Sequence, residues 1–384
     1  MNTRLSTLPP DTGAEHTIAE IAQQPALWRE VGRIVADGRG ALDDFLRPLL
    51  AAPDARIVLT GAGTSGFAGD VLRTALGRHL GRRVDAVSTT DIVSDPHGCF
   101  AEDVPTLLVS FARSGDSPES TAATALADRC LTRVSHLVIT CNGEGRLARE
   151  HGGKPESHVL LMPPAANDQG FAMTSSFTCM LLAALLALGP GTVRDSLDGL
   201  AEAAEHITSG GLDPHIDALL AREPERLVYL GSGSLKGLAG ESALKLLELT
   251  GGAVTASADS PLGFRHGPKA VLTDRTAVVV YVSEDAYTRN YDLDIVTELR
   301  GALPPGSVVA IAARPDGLPQ DGTWTVPVPA GTDDAAFALP AVLCAQLIAL
   351  RASLSRGIRP DNPFPSGEVN RVVQGVTVHP LPAD

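Results

Sequence analysis

The sequence is poor in aromatic residues, which make up 4% of its 384 residues, and it has no long uninterrupted apolar run. The longest apolar stretch, 177–188, is too short to span a bilayer and predicts a buried helix. The N-terminal residues are acidic and contain proline, where a signal peptide would need an apolar core. We therefore expect a soluble, cytoplasmic protein with no membrane partner.

Positive charge is also scarce, since the formal net charge is −14 at pH 7. Such a surface repels phosphate backbones, so we expect no nucleic-acid partner, although a local electropositive pocket is compatible with it. The five cysteines are odd in number and form no C-x-x-C pair, which predicts reduced thiols. No group of His, Cys and Asp has the spacing of metal ligands, so we expect neither a metal nor a redox cofactor.

The chain does contain one strand-to-helix glycine turn twice, about 170 residues apart. The first copy is RIVLTGAGTS at 56–65, and the second is RLVYLGSGS at 226–234. The similarity continues in TLLVS at 106–110 and TAVVV at 276–280. A repeat of this length predicts two related α/β domains with parallel sheets.

This repeat divides the chain into an N-terminal helical segment (1–50), a first domain (51–200), a helical bridge (201–222) and a second domain (223–384). Short β-rich runs predict strands at 57–60, 106–110, 136–140, 158–162, 227–230, 276–282, 307–312 and 324–328. Apolar helices at 171–188 and 339–354 close the two domains, and 376–378 is strand-like. In the N-terminal segment, Thr17 is a candidate helix cap, with Glu20 as its capping-box partner.

The glycine turn at 61–66, GAGTSG, matches the G-x-G-x-x-G pattern of dinucleotide sites. Asp85 and Asp91 lie at roughly the expected distance downstream. The alternative is that these glycines only satisfy a turn that needs positive φ.

A second element, SFARSGDSPES at 110–120, follows an apolar strand and enters a helix. The hydroxyls of Ser114, Ser117 and Ser120 would converge there with the free N–H groups of the first helical turn, which suits a phosphomonoester. Arg113 would add positive charge. The alternative is that Ser117 caps the helix and Ser114 fills a turn. The equivalent segment of the second domain, 282–287, contains acidic residues that would repel phosphate, so we expect one site per chain.

These motifs resemble a known family. GAGTS at 61–65 followed by SGDS at 114–117 resembles the sugar isomerase (SIS) domain, and two such domains in tandem resemble the isomerase half of glucosamine-6-phosphate synthase. ESALKLLEL at 241–249 and GFRHGP at 263–268 are also similar to that enzyme. NDQGFAMTSSF at 167–177 and the tail beginning DNPF at 361–364 resemble the galactosamine-6-phosphate deaminase/isomerase branch, earlier labelled tagatose-6-phosphate ketose/aldose isomerase.

The resemblance implies two five-stranded parallel sheets with helices on both faces. It implies phosphate capture by Ser65, Ser114 and Ser117. We also expect Thr64, Arg113 and Lys245 to take part in substrate binding. The resemblance further implies that Glu248 is the catalytic base and that His266 assists ring opening. In the synthase the histidine loop reaches into the partner subunit's site, so a homodimer with shared active sites is expected.

The chain departs from the synthase in two places. The synthase has a lysine shortly before its final VTV, where this chain has Gln374, so no Schiff base is expected from the tail. The synthase also has an N-terminal glutaminase with a cysteine after Met1, where this chain has Asn2. We therefore expect no ammonia-donor machinery.

The residues themselves suggest a proton-transfer site. Glu241, Lys245 and Glu248 have i, i+4, i+7 spacing and share one helix face. They are either a solvated salt-bridge ladder or, because leucines surround them, a buried functional group. His266 lies in a turn and is either structural or a proton carrier between ring oxygen and O1.

One base can move the C2 proton of an open-chain aldose to C1. With an amino group at C2, the product is a ketimine that water hydrolyses. The resulting prediction is conversion of galactosamine 6-phosphate to tagatose 6-phosphate and ammonia. The alternatives are glucosamine-6-phosphate deamination, a neutral aldose/ketose phosphate isomerase, and a non-catalytic sugar-phosphate sensor.

Overall fold

A computed structural model describes residues 12–373 and 375–382. Within this part of the chain there are two five-stranded, fully parallel sheets. The first contains β1 Arg56–Thr60, β2 Val84–Ala86, β3 Thr106–Ala112, β4 Val134–Thr140 and β5 Ser157–Leu161. The second contains β6 Arg226–Leu230, β7 Thr255–Asp259, β8 Thr276–Tyr281, β9 Val308–Ala312 and β10 Thr323–Thr325. Their orders are β2-β1-β3-β4-β5 and β10-β9-β8-β6-β7, so the second half repeats the strand arrangement of the first.

Helices connect the strands and precede the first of them. They are α1 Glu15–Asp37, α2 Arg39–Ala51, α3 Thr64–Leu80, α4 Thr89–Ser94, α5 Pro96–Cys99, α6 Pro118–Cys130, α7 Arg146–His151, α8 Ser175–Leu188, α9 Thr192–His206, α10 Asp213–Leu220, α11 Ser234–Leu249, α12 Pro261–Phe264, α13 Ala286–Ala302 and α14 Asp334–Leu354. In β1, Ile57 and Leu59 pack in the core that contains α8, whereas Val58 packs in a separate core with α6. Both faces of the sheet are therefore covered by helices, as predicted.

The sheet topology places the phosphate-loop candidates side by side. β1 and β3 are neighbouring parallel strands, with Thr60 paired to Ser110. The carboxyl ends of parallel strands meet at one edge of a sheet, which is where open α/β sheets bind ligands. The glycine turn after β1 and the serine segment after β3 therefore lie next to each other.

The centre of the molecule is built from apolar helices. Every residue of α8 is buried. Among the described residues, α14 is long and apolar enough to cross a membrane, but 94% of its most apolar window is buried inside the protein. Its length and composition are thus those of a core helix.

The glycine repeat has two structural causes. Gly63 and Gly233 precede α3 and α11 with φ of 54° and 55°, a left-handed conformation that favours glycine. Further along, α3 and α11 pack against each other, and a Cβ on Gly237 would lie 2.5 Å from the backbone nitrogen of Val71. The repeated glycines thus allow the tight turns and the close contact between the two helices.

Some local predictions were wrong. Thr17 does not cap a helix, because α1 begins at Glu15 and continues past it. The Thr17 hydroxyl instead donates to Asp361 Oδ1 (2.6 Å), and Glu20 accepts from the backbone N–H of Gly170 (3.0 Å). The 376–378 segment is not a strand, and the last strand ends at Thr325 rather than at 328.

The strands β2 and β7 were not predicted. β2 has three residues and is half-buried, and β7 is the polar sequence TASAD. Neither shows the apolar run that identifies a central parallel strand.

Candidate active site

The predicted phosphate residues line one small cavity of about 110 Å³ at the carboxyl edge of the first sheet. Ser65 comes from the first turn of α3, and Arg113, Ser114 and Ser117 come from the loop between β3 and α6. The remaining lining residues are Ala62, Phe111, Ala112, Ser120, Met173, Arg371, Val372 and Val373. The lining contains four serines and two arginines and no carboxylate.

The serine hydroxyls form no N-cap hydrogen bond with the backbone of α6. Ser117 is at the N-cap position of α6, with Pro118 following it as predicted, but its side chain makes no cap hydrogen bond. Its hydroxyl is instead 2.6 Å from that of Ser120. Ser114 Oγ accepts from the N–H of Asp116 (3.3 Å), as in a turn. The hydroxyl pair and the N-terminal end of α6 together form a site that favours an anion.

Arg113 brings a buried cation to this cavity. Its residue is 6% exposed, its Nη2 donates to the carbonyl oxygen of Arg371 (3.2 Å), and its buried Nη1 has no hydrogen-bond partner. Burial and, after it, the positive charge of Arg371 lower the pKa of the Arg113 guanidinium. Both effects penalise the charged form, and a bound anion would offset them.

The second group of predicted residues lies on one face of α11. Glu241 and Lys245 are fully buried, and the Glu248 side chain is 23% exposed. Lys245 Nζ donates to Glu248 Oε2 and to Thr64 Oγ1 (2.9 Å), and it lies 3.5 Å from Glu241 Oε1. Burial therefore contradicts the solvated-ladder alternative.

Burial and neighbouring charges shift the pKa values of the groups on this face for different reasons. Burial raises the pKa of Glu241 to about 8, which outweighs the opposing effect of the nearby Lys245 ammonium and favours the neutral acid. For Lys245, burial opposes the charge, but the carboxyl groups of Glu241 and Glu248 outweigh it and raise the pKa. Lys245 therefore pairs with Glu248, and Glu241 is the acid of this face whose neutral form burial favours.

Thr64 connects the two groups. It is the neighbour of Ser65, which lines the candidate phosphate cavity, and it accepts the hydrogen bond from Lys245. The structure therefore joins the candidate base on the second half of the chain to the phosphate cavity on the first half.

Among the described residues of one chain, His266 makes no hydrogen bond or ion pair with Glu241, Lys245 or Glu248. It is exposed, in the turn that follows α12, beside an ion pair of Arg265 with Glu298 (2.8 Å). Its role in ring opening stays a prediction, and so does the partner subunit on which it depends. Gln374, the departure from the synthase pattern, lies outside the described residues.

Sequence reasoning missed Arg371. This tail residue lines the phosphate cavity and donates from Nη1 to the carbonyl oxygens of Asp168 (3.1 Å) and Gln169 (2.6 Å). The available signal was one of two arginines in a Pro- and Gly-rich tail, which by itself does not indicate where the tail lies.

Comparison with known proteins agrees with this geometry. Residues 49–188 match the SIS domain. A protein from Shewanella sp. (strain ANA-3) named D-galactosamine-6-phosphate deaminase AgaS is 43% identical over 374 residues, which is 96% of this chain and 93% of that protein. The chain belongs to the SIS family.

Two further similarities cover nearly the whole SIS protein. A homologue from Streptomyces coelicolor is 68% identical over 388 residues, covering 99% of this chain and all of the homologue. The crystal structure of tagatose-6-phosphate ketose/aldose isomerase from Escherichia coli is 41% identical, with a TM-score of 0.89 over 96% of this chain and 97% of that one. The predicted resemblance to this branch of the SIS family is confirmed.

The second half of this SIS protein has a cavity of different chemistry at the corresponding place. Its volume is about 450 Å³, and its lining includes Glu284, Asp285, Asp333 and Asp334 together with Arg78 and Arg314. Glu284 and Asp285, the acidic residues of the equivalent segment in the sequence, thus line this cavity. Carboxylates here replace the serines of the first half, which disfavours a phosphate.

Proposed function

We propose that this protein converts D-galactosamine 6-phosphate and water to D-tagatose 6-phosphate and ammonia. The observation that carries the proposal is the pair of hydrogen bonds from Lys245 to Glu248 and to Thr64, which connects a carboxylate to a cationic, serine-lined cavity. The names of the Shewanella and Escherichia coli relatives support the substrate and the product, respectively.

In this proposal the phosphoryl group occupies the cavity formed by Ser65, Arg113, Ser114 and Ser117. Charge-assisted hydrogen bonds from the guanidinium and the free N–H groups of α6 fix it there. The open-chain sugar then extends toward the face of α11. Binding energy from the phosphate positions C1 and C2 beside Glu248.

Glu248 acts on the open-chain aldehyde. It removes the proton from C2, which gives an enolamine, and it returns a proton to C1, which becomes the CH₂OH group. The nitrogen is then held in a C2=N ketimine. Lys245 fixes the carboxylate in place, and the partial exposure of Glu248 leaves it reachable by substrate.

Water completes the reaction by adding to C2 of the ketimine. The C–N bond then breaks, ammonia leaves, and C2 becomes the carbonyl of the ketose. The whole conversion needs neither an oxidant nor a reductant. In the isomerisation the aldehyde carbon C1 is reduced while C2 of the same molecule is oxidised, and the hydrolysis of the ketimine changes no oxidation state.

His266 in this proposal opens the pyranose ring in the active site of a partner subunit. Its turn is exposed, and among the described residues it makes no hydrogen bond or ion pair with Glu248, which fits a residue that serves a neighbouring copy. The protein would accordingly act as a homodimer with shared sites.

The test is ammonia release from purified protein, given galactosamine 6-phosphate and, separately, glucosamine 6-phosphate. We expect faster release from the galacto sugar, with equimolar tagatose 6-phosphate. Faster release from the gluco sugar would reject the substrate but keep the chemistry. No release from either would favour a neutral-sugar isomerase or a sensor, which turnover of tagatose 6-phosphate separates.

A further inference from the structure

The C-terminal tail forms one wall of the phosphate cavity. Arg371, Val372 and Val373 line it opposite the serine loop, and none of them belongs to a helix or strand. Farther along, the Arg129 guanidinium donates to the carbonyl oxygens of Leu381 (2.6 Å) and Pro382 (2.5 Å). The tail is thus attached to the first half of the molecule at the cavity and again near residues 381 and 382.

The Arg371 guanidinium uses only part of its hydrogen-bonding capacity on the protein. Nη1 donates to the carbonyl oxygens of Asp168 and Gln169, and the peptide N–H of Gly170 in the same segment donates to Glu20. In the described part of the chain, Nε and Nη2 of Arg371 make no hydrogen bond, and no carboxylate forms an ion pair with it. Arg371 is an exposed residue whose side chain is oriented by backbone carbonyls, and no carboxylate of the described residues pairs with its charge.

A second unneutralised guanidinium lies beside it. Arg113 is buried, its Nη2 bonds the Arg371 carbonyl oxygen, and its Nη1 has no partner. The cavity wall contains no acidic residue, although the chain as a whole has a net charge of −14. Two like charges held together in this way favour a multiply charged anion between them.

We propose that Arg371 is a second phosphate-binding arginine. Its open guanidinium donors, together with Arg113 and the serine hydroxyls, bind the phosphoryl group of a phosphomonoester as the dianion. Only the identity of the attached sugar rests on the proposed function. The tail thereby contributes a specificity-determining charge.

The first experiment measures the Kd of inorganic phosphate by calorimetry for the wild type and three variants. Arg371→Gln removes the charge and keeps an amide donor, so we expect affinity to fall about tenfold. Arg371→Lys keeps the charge but loses the separate donors of the guanidinium, so its loss of affinity should be clearly smaller than that of Arg371→Gln. Arg129→Ala loosens the far end of the tail without changing the cavity charge, and it should bind phosphate as wild type does.

The second experiment uses galactitol 6-phosphate, which cannot isomerise, between pH 5 and 8. A phosphomonoester loses its second proton near pH 6, so wild-type affinity should rise across this range as the dianion forms. In Arg371→Gln the rise should be smaller. With substrate, Arg371→Gln should raise KM and leave kcat nearly unchanged, because the phosphate does not react.

Unchanged phosphate affinity in Arg371→Gln would overturn the inference. Equal losses in Arg371→Gln and Arg371→Lys would also overturn it, since that result indicates a structural role of the tail contact. If the protein releases no ammonia from amino sugars but Arg371→Gln still loses phosphate affinity, the proposed function fails and this inference stands.

Discussion

At the scale of single residues, Lys245 is the side chain on which the candidate site depends. A fully buried ammonium is unfavourable unless it is paired, and here it has a hydrogen-bonded carboxylate, a second acid 3.5 Å away and one hydroxyl. The i, i+4, i+7 spacing of the sequence predicted the shared face correctly. The contact with Thr64, 181 residues away, could not be read from that spacing because it arises from the packing of α3 on α11.

Glu241 makes a pH-dependent contribution to stability. Its folded-state pKa is about 8 against an ordinary 4.5. Between these values the folded protein holds a proton that the unfolded chain has released, so this contribution is full below about pH 4.5 and declines as pH rises to about 8. We expect the free energy of unfolding of the wild type to fall from pH 5 to 8 by roughly 1–3 kcal/mol more than that of Glu241→Gln.

Urea denaturation at several pH values measures this difference. Glu202→Gln is the control, because Glu202 is exposed on α9 and should leave the pH dependence unchanged. Parallel pH profiles for wild type and Glu241→Gln would contradict a raised pKa at this position.

At the scale of elements, the contact between α3 and α11 positions the site. α3 begins with Thr64 and Ser65, and α11 contains Lys245 and Glu248, so any shift between the helices separates the proposed base from the candidate phosphate cavity. The glycine repeat predicted the turns before these helices, and the structure adds the close approach at Gly237.

Gly237→Ala tests this packing. The new methyl group would lie 2.5 Å from a backbone nitrogen of α3, which cannot move aside as a flexible side chain can. We expect a loss of about 1–3 kcal/mol in the free energy of unfolding, and reduced turnover. Gly301→Ala in α13 is the matched control, since no atom lies within 4 Å of its Cβ position, and it should be neutral or slightly stabilising. Equal effects of the two changes would refute the tight contact.

The elements also show which features a sequence can reveal. β3 is buried along its whole length. Strands of this kind have continuous apolar runs in the sequence, and they were predicted. The polar strand β7 has no such apolar run. It is positioned by its backbone pairing with β6, which the sequence pattern does not reveal. Thr17 had the sequence of a helix cap, but Asp361, 344 residues away, binds its hydroxyl, and α1 extends beyond it.

At the scale of the whole molecule, the two halves have the same strand order and different chemistry. The first half supplies a serine- and arginine-lined cavity, and the second supplies Glu248 and Lys245. The repeat predicted the shared fold correctly, and the serine-to-acid exchange predicts that the first half binds phosphate. The position of the tail was not predictable, because a segment without helix or strand has no periodicity to interpret.

A heterodimer tests whether active sites are shared. Glu248→Gln and His266→Ala chains, co-expressed with different tags and purified as a heterodimer, would combine one doubly defective site with one intact site if His266 serves the partner. We expect each mutant homodimer to be inactive and the heterodimer to recover about half of wild-type activity. An inactive heterodimer would place Glu248 and His266 of each site in the same chain.

The most direct test of the account is the turnover of Glu248→Gln compared with its substrate binding. We predict that ammonia release from galactosamine 6-phosphate falls by about 10²- to 10⁴-fold, while the Kd of galactitol 6-phosphate stays as in wild type. The exposed Glu202→Gln serves as the control and should retain full activity. A Glu248→Gln protein that releases ammonia at the wild-type rate would contradict the assignment of Glu248 as the base, and with it the proposed mechanism.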